Sequence, residues 1–305
     1  MATFSLASQT SAGQKALLPA QVSRNIWKEA LAQSIIPGLA SNVPIIIGDN
    51  TFPMVATRPA ASIVGEGGNK PSSAIGLTSK TIKPIKAVVG LEFTMEAIIA
   101  NPGGILGLLE SEMAGALSRQ VDLAILFGRQ ASDGAAISGL TEYLNATTKR
   151  AELNYNGNVD DQIWTGMGQL VTAGKPVTGF AMDPRLVFEL SNTRDANGNR
   201  INQGMSLGGG LTSYAGLPTQ VSMAVSGQVD ASLDTKVRAF GGNWNALRFG
   251  YALQLSTKKI EFGDPFGNGD LQRRNAVGFM TEAIFGWAVM DMDAFVAFDD
   301  AVTDV

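Results

Sequence analysis

Residues 101–128 read NPGGILGLLESEMAGALSRQVDLAILFG, the longest unbroken helical period in the chain, and a rod of that length restricts what can be built around it. Asn101 offers a side-chain acceptor to the free amides, Pro102 suits the first helical position, and Gly128 tolerates the left-handed conformation that ends a helix. At 100° per residue, Ile105, Leu108, Leu109, Met113, Ala116, Leu117, Leu123, Ala124 and Phe127 fall in one broad arc. Glu110, Ser111, Ser118 and Asp122 are expected to face away. About 26 residues at ~1.5 Å each give roughly 39 Å, against a mean of ~11 residues for globular helices, so this helix should span a whole domain.

What surrounds the rod is bounded by inventory. The 305 residues can bury roughly 75% of their unfolded surface, enough for one elaborate domain or two modest ones. There is no cysteine and no histidine. Disulfides, thiolate nucleophiles, Ser-His-Asp and Cys-His catalysis and the zinc-hydrolase sites are thereby excluded, and the composition is compatible with a reducing cytoplasm. Charged residues make up only 16%, against a usual ~25%, and the 35 glycines exceed the usual ~7%. Both suggest that other copies of the chain cover much of its surface. A net charge of −4 argues against nonspecific nucleic-acid binding by the surface as a whole. The ends differ, however: Lys15, Arg24 and Lys28 lie in the first 28 residues with no acid, whereas Glu282, Asp291, Asp293, Asp299, Asp300 and Asp304 follow Arg274 with no base. No secretory signal and no 18-residue apolar run is present, so no membrane partner is expected.

In chain order, residues 1–19 read as an extended arm, and Val22, Ile26, Trp27, Ala30 and Leu31 as a short amphipathic helix ending before Pro37-Gly38. Residues 42–54 supply a short apolar strand. Two strand-like arms, 53–64 and 77–93, then flank a glycine-rich tip, GEGGNKPSSAIG, at 65–76. In the second arm Leu77, Thr81, Ile85, Ala87, Val89, Leu91 and Phe93 share one parity; Thr78, Lys80, Lys86 and Glu92 share the other. Isolated two-stranded hairpins are marginal in water, so one this long should lie on another surface, most simply a neighbouring subunit.

A basic arm, the glycine-tipped hairpin SIVGEGGNKPSSAIGLTSKTIKPIKAVVGLEFTMEAI and a capped helix ending in AILFG together resemble the major capsid proteins of tailed bacteriophages with the HK97-type fold. The likeness continues through Gly139-Leu140, a helix at 160–174, and the strand and Pro-started helix of GFAMDPRLVFEL at 179–190. The turn-rich DANGN loop follows, then Ala215-Gly216-Leu217-Pro218 before TQVSMAV. Further on come Ala239-Phe240-Gly241, an alternating strand at 247–256 and a terminal strand pair within 275–298. The chain departs from many relatives in having Gly241-Gly242 where they place an acid. It begins within about twenty residues of its first helix, which implies a separate scaffolding protein or none.

The resemblance implies an α+β fold with an N-terminal arm (1–48), an extended hairpin or E-loop (49–95), a peripheral domain on the spine helix (96–158, continued by 239–305) and an axial domain (159–238). It implies a homo-oligomer of hexamers and pentamers tiling an icosahedral shell around nonspecifically held double-stranded DNA. Its other partners would be a portal, a separate scaffolding protein and, in some members, a decoration protein. The shell would form in the bacterial host cytoplasm and end in the virion. Expected inter-subunit contacts are Ile26 and Trp27 in the arm helix, Glu66 and Lys70 as reciprocal charges at the hairpin tip, and Lys80. Lys15, Arg24 and Lys28 would meet DNA or a neighbour's acids. Some relatives cross-link through a hairpin lysine, but nothing local marks Lys70 or Lys80 as activated.

Catalytic and ligand motifs do not compete well. Asn69-Lys70-Pro71 lacks the glycine and hydroxyl residue of a phosphate loop, and Gly208-Gly209-Gly210 has no strand before it. A calcium loop starting at Asp195 fails at Arg200 and Ser206, and Asp264 and Asp270 fit a solvated turn. Ser256 and Lys259 have acyltransferase spacing but fall on a predicted strand; Asp160-Asp161 reads as helix N-terminal charge; Asn145-Ala146-Thr147 matters only on secretion. No enzyme, cofactor or metal is therefore expected. The alternatives are a nanocompartment shell of the same fold, separated by gene context, and a soluble carboxylate hydrolase, separated by its small size in solution.

Overall fold

The computed structural model describes residues 34–100, 102–194, 197–200, 202, 211–252 and 256–301. From Ser34 the chain makes a short helix, α1 (Ile36–Leu39), and the two-residue strand β1 (Ser41–Asn42). The strand expected at 42–54 is thus split. A turn at 46–50, closed by Asn50, whose side chain accepts from the Ile46 amide (2.9 Å) and donates to the Ile46 and Gly48 carbonyls (2.9 and 2.8 Å), leads into β2 (Asn50–Thr57). β2 pairs antiparallel with β3 (Gly76–Ile82) as a separate two-stranded sheet.

The expected second hairpin arm is really two strands. After Lys83-Pro84 the chain turns into β4 (Ile85–Thr94), which pairs not with β2 but with β12 (Ala276–Val289), from Ile85↔Phe285 to Thr94↔Ala276. Proline cannot donate to a ladder, so the interruption falls where it stands. The odd parity faces inward only in β4; in β3, Leu77 is exposed and Ile82 buried.

A short α2 (Met95–Ala100) precedes the long helix α3 (Pro102–Phe127), which ends at Gly128 with φ +65°. Its earlier half lies on a five-stranded sheet in which β12 is flanked by β4 on one side and by β10 (Leu247–Tyr251) and β11 (Ser256–Ile260) on the other, with β1 beyond β10. Leu109, Met113 and Leu117 pack there against Val277, Phe279 and Ala283. The single strand expected over 247–256 is two, β10 and β11.

The later half of α3 departs from the expected two-faced pattern, because every residue from Val121 to Gly128 is buried, Asp122 included, and so is Ser118. Its last turns run through a cluster containing Phe127, Phe240, Trp244, Phe249, Phe285 and Phe295, fed by both large sheets. Residues of that kind each stabilise a fold by about 1.5–3 kcal/mol when fully buried.

The second large sheet has the order β5-β13-β9-β6-β8-β7, from β5 (Arg150–Leu153), β6 (Gly179–Met182), β7 (Ser213–Tyr214), β8 (Leu217–Val221), β9 (Val237–Gly242) and β13 (Phe295–Asp300). Helix α4 (Val159–Thr172) is capped by the Asn158 side chain and packs Ile163, Met167 and Leu170 against Phe180 and Phe298. Asp183 caps α5 (Pro184–Asn192), which starts on its proline. Sheet membership does not follow a boundary at 238/239. β9 and β13 join the strands of 159–238, as does β5, and β12 and β13 lie in different sheets rather than forming a pair.

Candidate assembly interface

The β2/β3 hairpin is the least covered part of the described chain. Val55 and Leu77 are cross-strand partners, 52% and 68% exposed, and Ile63 and Ile75 nearer the tip are also bare. Gly67, at φ +78°, turns the tip, with the Gly68 amide donating to the Gly65 carbonyl (3.0 Å). Glu66 and Lys70 are exposed there and neither has an ion-pair partner among the described residues.

The root of the hairpin is fixed. Ile82 is fully buried against Ile45 and Ala288, in space left by Gly286, where an added Cβ would stand 2.7 Å from Ile82 Cγ2. Lys80, expected as an inter-subunit contact, donates to Glu142 of its own chain at 2.5 Å. The Glu142 carbonyl in turn accepts from Trp287 Nε1 at 2.8 Å. That pair helps seat the hairpin on its own body.

Where the arm joins the body, Ser34, Ile35 and Ile36 are buried. Ser34 Oγ donates to Asp122 Oδ1 (2.5 Å) and the Ile35 amide to Oδ2 (3.2 Å). Burial pushes the Asp122 carboxyl up to about 7, and the hydrogen bonds from Ser34, Ile35 and Ile36 only partly oppose it. Ile26, Trp27, Lys15, Arg24 and Lys28 lie outside the described residues.

A third constellation sits at the strand ends in the middle of the six-stranded sheet, where β9 starts and β13 and β6 finish. Arg238, nearly buried, bonds both Asp234 (2.9 Å) and Asp300 (2.5 Å), and Arg185 links Asp234 (2.8 Å) to the buried cap Asp183 (2.9 Å). Burial works against the Asp234 carboxylate, but the hydrogen bonds from Arg238, the Lys236 amide and Arg185 outweigh it and hold its carboxyl below the usual range. Every carboxylate here is bonded to a guanidinium, so the cluster ties α5, β9 and β13 together. Tyr214, pushed up by burial and by its bond to Asp160 (2.5 Å), likewise holds α4 to β7. Among the described residues no three carboxylates gather as a metal site.

Sequence reasoning missed Asp122 and Glu142. A signal for Asp122 was present: from Val121 to Phe127 it is the only polar residue, and a helix apolar all round is buried all round. Glu142 carried none, since its partners Lys80 and Trp287 are brought to it only by the tertiary fold.

Comparison with known proteins gives one answer. The model of the phage capsid family matches residues 14–300. A curated relative, the probable major capsid protein gp17 of Mycobacterium phage D29, is 25% identical over 299 residues, covering 95% of this chain and 92% of its own. Among solved structures, a chain of Gordonia phage Cozz superposes with a TM-score of 0.80 at 48% identity, covering 88% of this chain and 87% of that one. One of Mycobacterium phage Ogopogo gives 0.76 at 27%, covering 88% and 92%.

Proposed function

The chain belongs to the phage capsid family, as a major capsid protein with the α+β HK97-like fold, and from that premise we propose how its own residues build the shell. The hairpin and the N-terminal arm are the parts that reach neighbours, and the body made by the two large sheets is the tile. One observation carries this reading: the apolar residues Val55 and Leu77 on the two-stranded sheet, and Ile63 and Ile75 in the loop that joins its strands, are covered by nothing described in the same chain. A second copy is the natural cover, because a two-stranded ribbon gains little stability alone and every copy in a shell carries the same ribbon.

Glu66 and Lys70, unpaired at the tip, would add charge contacts across the same interface. These contribute more to orientation than to strength, as exposed ion pairs are worth only about 0–1 kcal/mol. Each subunit then touches several others through arm, hairpin and body edges, and modest contacts sum by avidity. Hexamers and pentamers around double-stranded DNA, in a virion made in the bacterial cytoplasm, are the finer form of the proposal. A portal and a scaffolding protein are the further partners of this reading, with Lys15, Arg24 and Lys28 meeting DNA or a neighbour's acids.

Negative-stain microscopy and sedimentation of the purified protein test it. Rings or shells are expected from the full chain. From a variant with residues 58–75 replaced by a tight turn, soluble folded subunits are expected. A full-length protein that stays a monodisperse monomer at every concentration would remove the reading.

A further inference from the structure

The geometry points to Asp122 as the anchor of the N-terminal arm, and we propose that docking of the arm root, residues 34–36, onto the spine helix is coupled to uptake of one proton by that carboxylate. The group is 1% exposed, yet among the described residues it has no ion-pair partner. An unpaired charge in such a place is costly, and a neutral acid is not.

The socket accepts both forms. As a carboxylate, Asp122 accepts a hydrogen bond from the Ser34 hydroxyl on Oδ1 and from the Ile35 amide on Oδ2. As an acid it can donate from Oδ1 to Ser34 Oγ, whose hydroxyl rotates to accept, while Oδ2 still takes the Ile35 amide. No hydrogen bond is lost in the exchange; only the charge goes.

Other charges do not interfere. α3 packs chiefly against α2, β4, β12 and the 3-10 turns Leu144–Ala146 and Met223–Ser226, and α1 against β8. Neither turn carries an ionisable side chain, nor does β8. Lys86 of β4 faces Glu282 of β12 at 3.7 Å, Glu92 is held by Arg274 at 2.6 Å, and Glu96 accepts from Asn275 at 2.6 Å. On α3 itself, Arg119 is tied to Asp230 at 3.0 Å, and Glu110 and Glu112 lie about three turns away.

The sign follows from which state holds the proton. With the root docked the carboxyl sits at about 7. Undocked and wetted it returns toward ~3.9, so the docked state binds more protons in between. Docking is therefore tightest below about pH 4, weakens by at most tenfold per pH unit as pH rises toward about 7, and is level above that. Between pH 5 and 7 the change reaches at most about 100-fold.

Hydrogen exchange of the Ile35 and Ile36 amides in full-length, unassembled protein measures this, after correction for intrinsic exchange. The opening constant should climb between pH 5 and 7 and then level. Asp122→Asn should keep protection and lose the slope. Ser34→Ala should weaken protection at every pH and keep the slope. A flat wild-type profile, or an unchanged slope in Asp122→Asn, overturns the proposal. Should Asp122→Asn fold poorly, the infrared carboxylic-acid band of the wild type decides: a buried acid must titrate near pH 7, and its absence is equally fatal. Because the measurement uses single subunits, its outcome is separate from that of the shell reading.

Discussion

Val55 and Leu77 face each other across the hairpin, so the paired change Val55→Thr/Leu77→Thr removes apolar surface from one face without disturbing the strands. Threonine has the β-branched shape that strands favour, and both sites are more than half exposed, at 52% and 68%. Burying such a side chain completely is worth about 1.5–3 kcal/mol, and half of one plus two-thirds of the other remains to be covered. Allowing for the methyl that threonine retains, each hairpin contact should weaken by about 2 kcal/mol. That is a factor of about 30, since 1.4 kcal/mol is tenfold. Light scattering should accordingly show the concentration threshold for assembly rising by at least that factor. The unassembled subunit should keep its stability within about 0.5 kcal/mol, as changes at exposed sites do, and melt by circular dichroism at an unchanged temperature. A threshold within threefold of the wild type would refute the cover assigned to this face. A parallel loss of melting temperature would show that the hairpin's apolar residues serve the subunit itself.

Gly286→Ala places a methyl 2.7 Å from Ile82 Cγ2 and 3.3 Å from Pro84 Cα, beneath the hairpin root. Overpacking a full core site of this kind costs about 1–3 kcal/mol, so thermal unfolding should move down by several degrees and particle yield should fall with it. Asp234→Asn removes the charge and one of the two oxygens that accept from Arg185 and Arg238, and should cost about 2 kcal/mol in urea unfolding at pH 7. Because the Asp234 carboxyl is held below its ordinary value, its contribution is present above the unfolded value and lost as pH falls through the folded one. The difference between variant and wild type should thus close below about pH 4.

Elements whose ends are marked by backbone chemistry were legible without coordinates. Pro184 starts one helix as the sequence predicts, Asp160 falls in the first turn of another, and Gly128 at φ +65° stops the long one. The glycine-tipped hairpin was legible too, but its far arm was drawn too long: β4 has the right alternation to continue β3, and only its partner β12, nearly two hundred residues on, shows which sheet it belongs to. The same long-range pairing moved β9 and β13 into the six-stranded sheet, since local period says which face of a strand is buried and nothing about its neighbour. Asp122 failed differently. A helical wheel assigns polar residues outward by default, and at this end of α3 there is no outward side.

The hairpin and residues 34–36 are each anchored on the body, by different chemistry. The hairpin is seated by shape, with Ile82 filling the space beside Gly286, and by the Lys80–Glu142 pair that Trp287 steadies from behind. The arm is seated by Asp122 through hydrogen bonds to residues 34 and 35. A reaching element with a fixed root loses less conformational freedom when its far end docks, so a larger share of each contact's free energy is kept for association. The two seats differ in what can loosen them. The hairpin's rests on packing and a partly exposed ion pair, whereas the arm's rests on one buried carboxylate. A change of pH between 5 and 7 should therefore loosen the arm and leave the hairpin where it is, so that exchange at Ile82 stays constant while exchange at Ile35 rises.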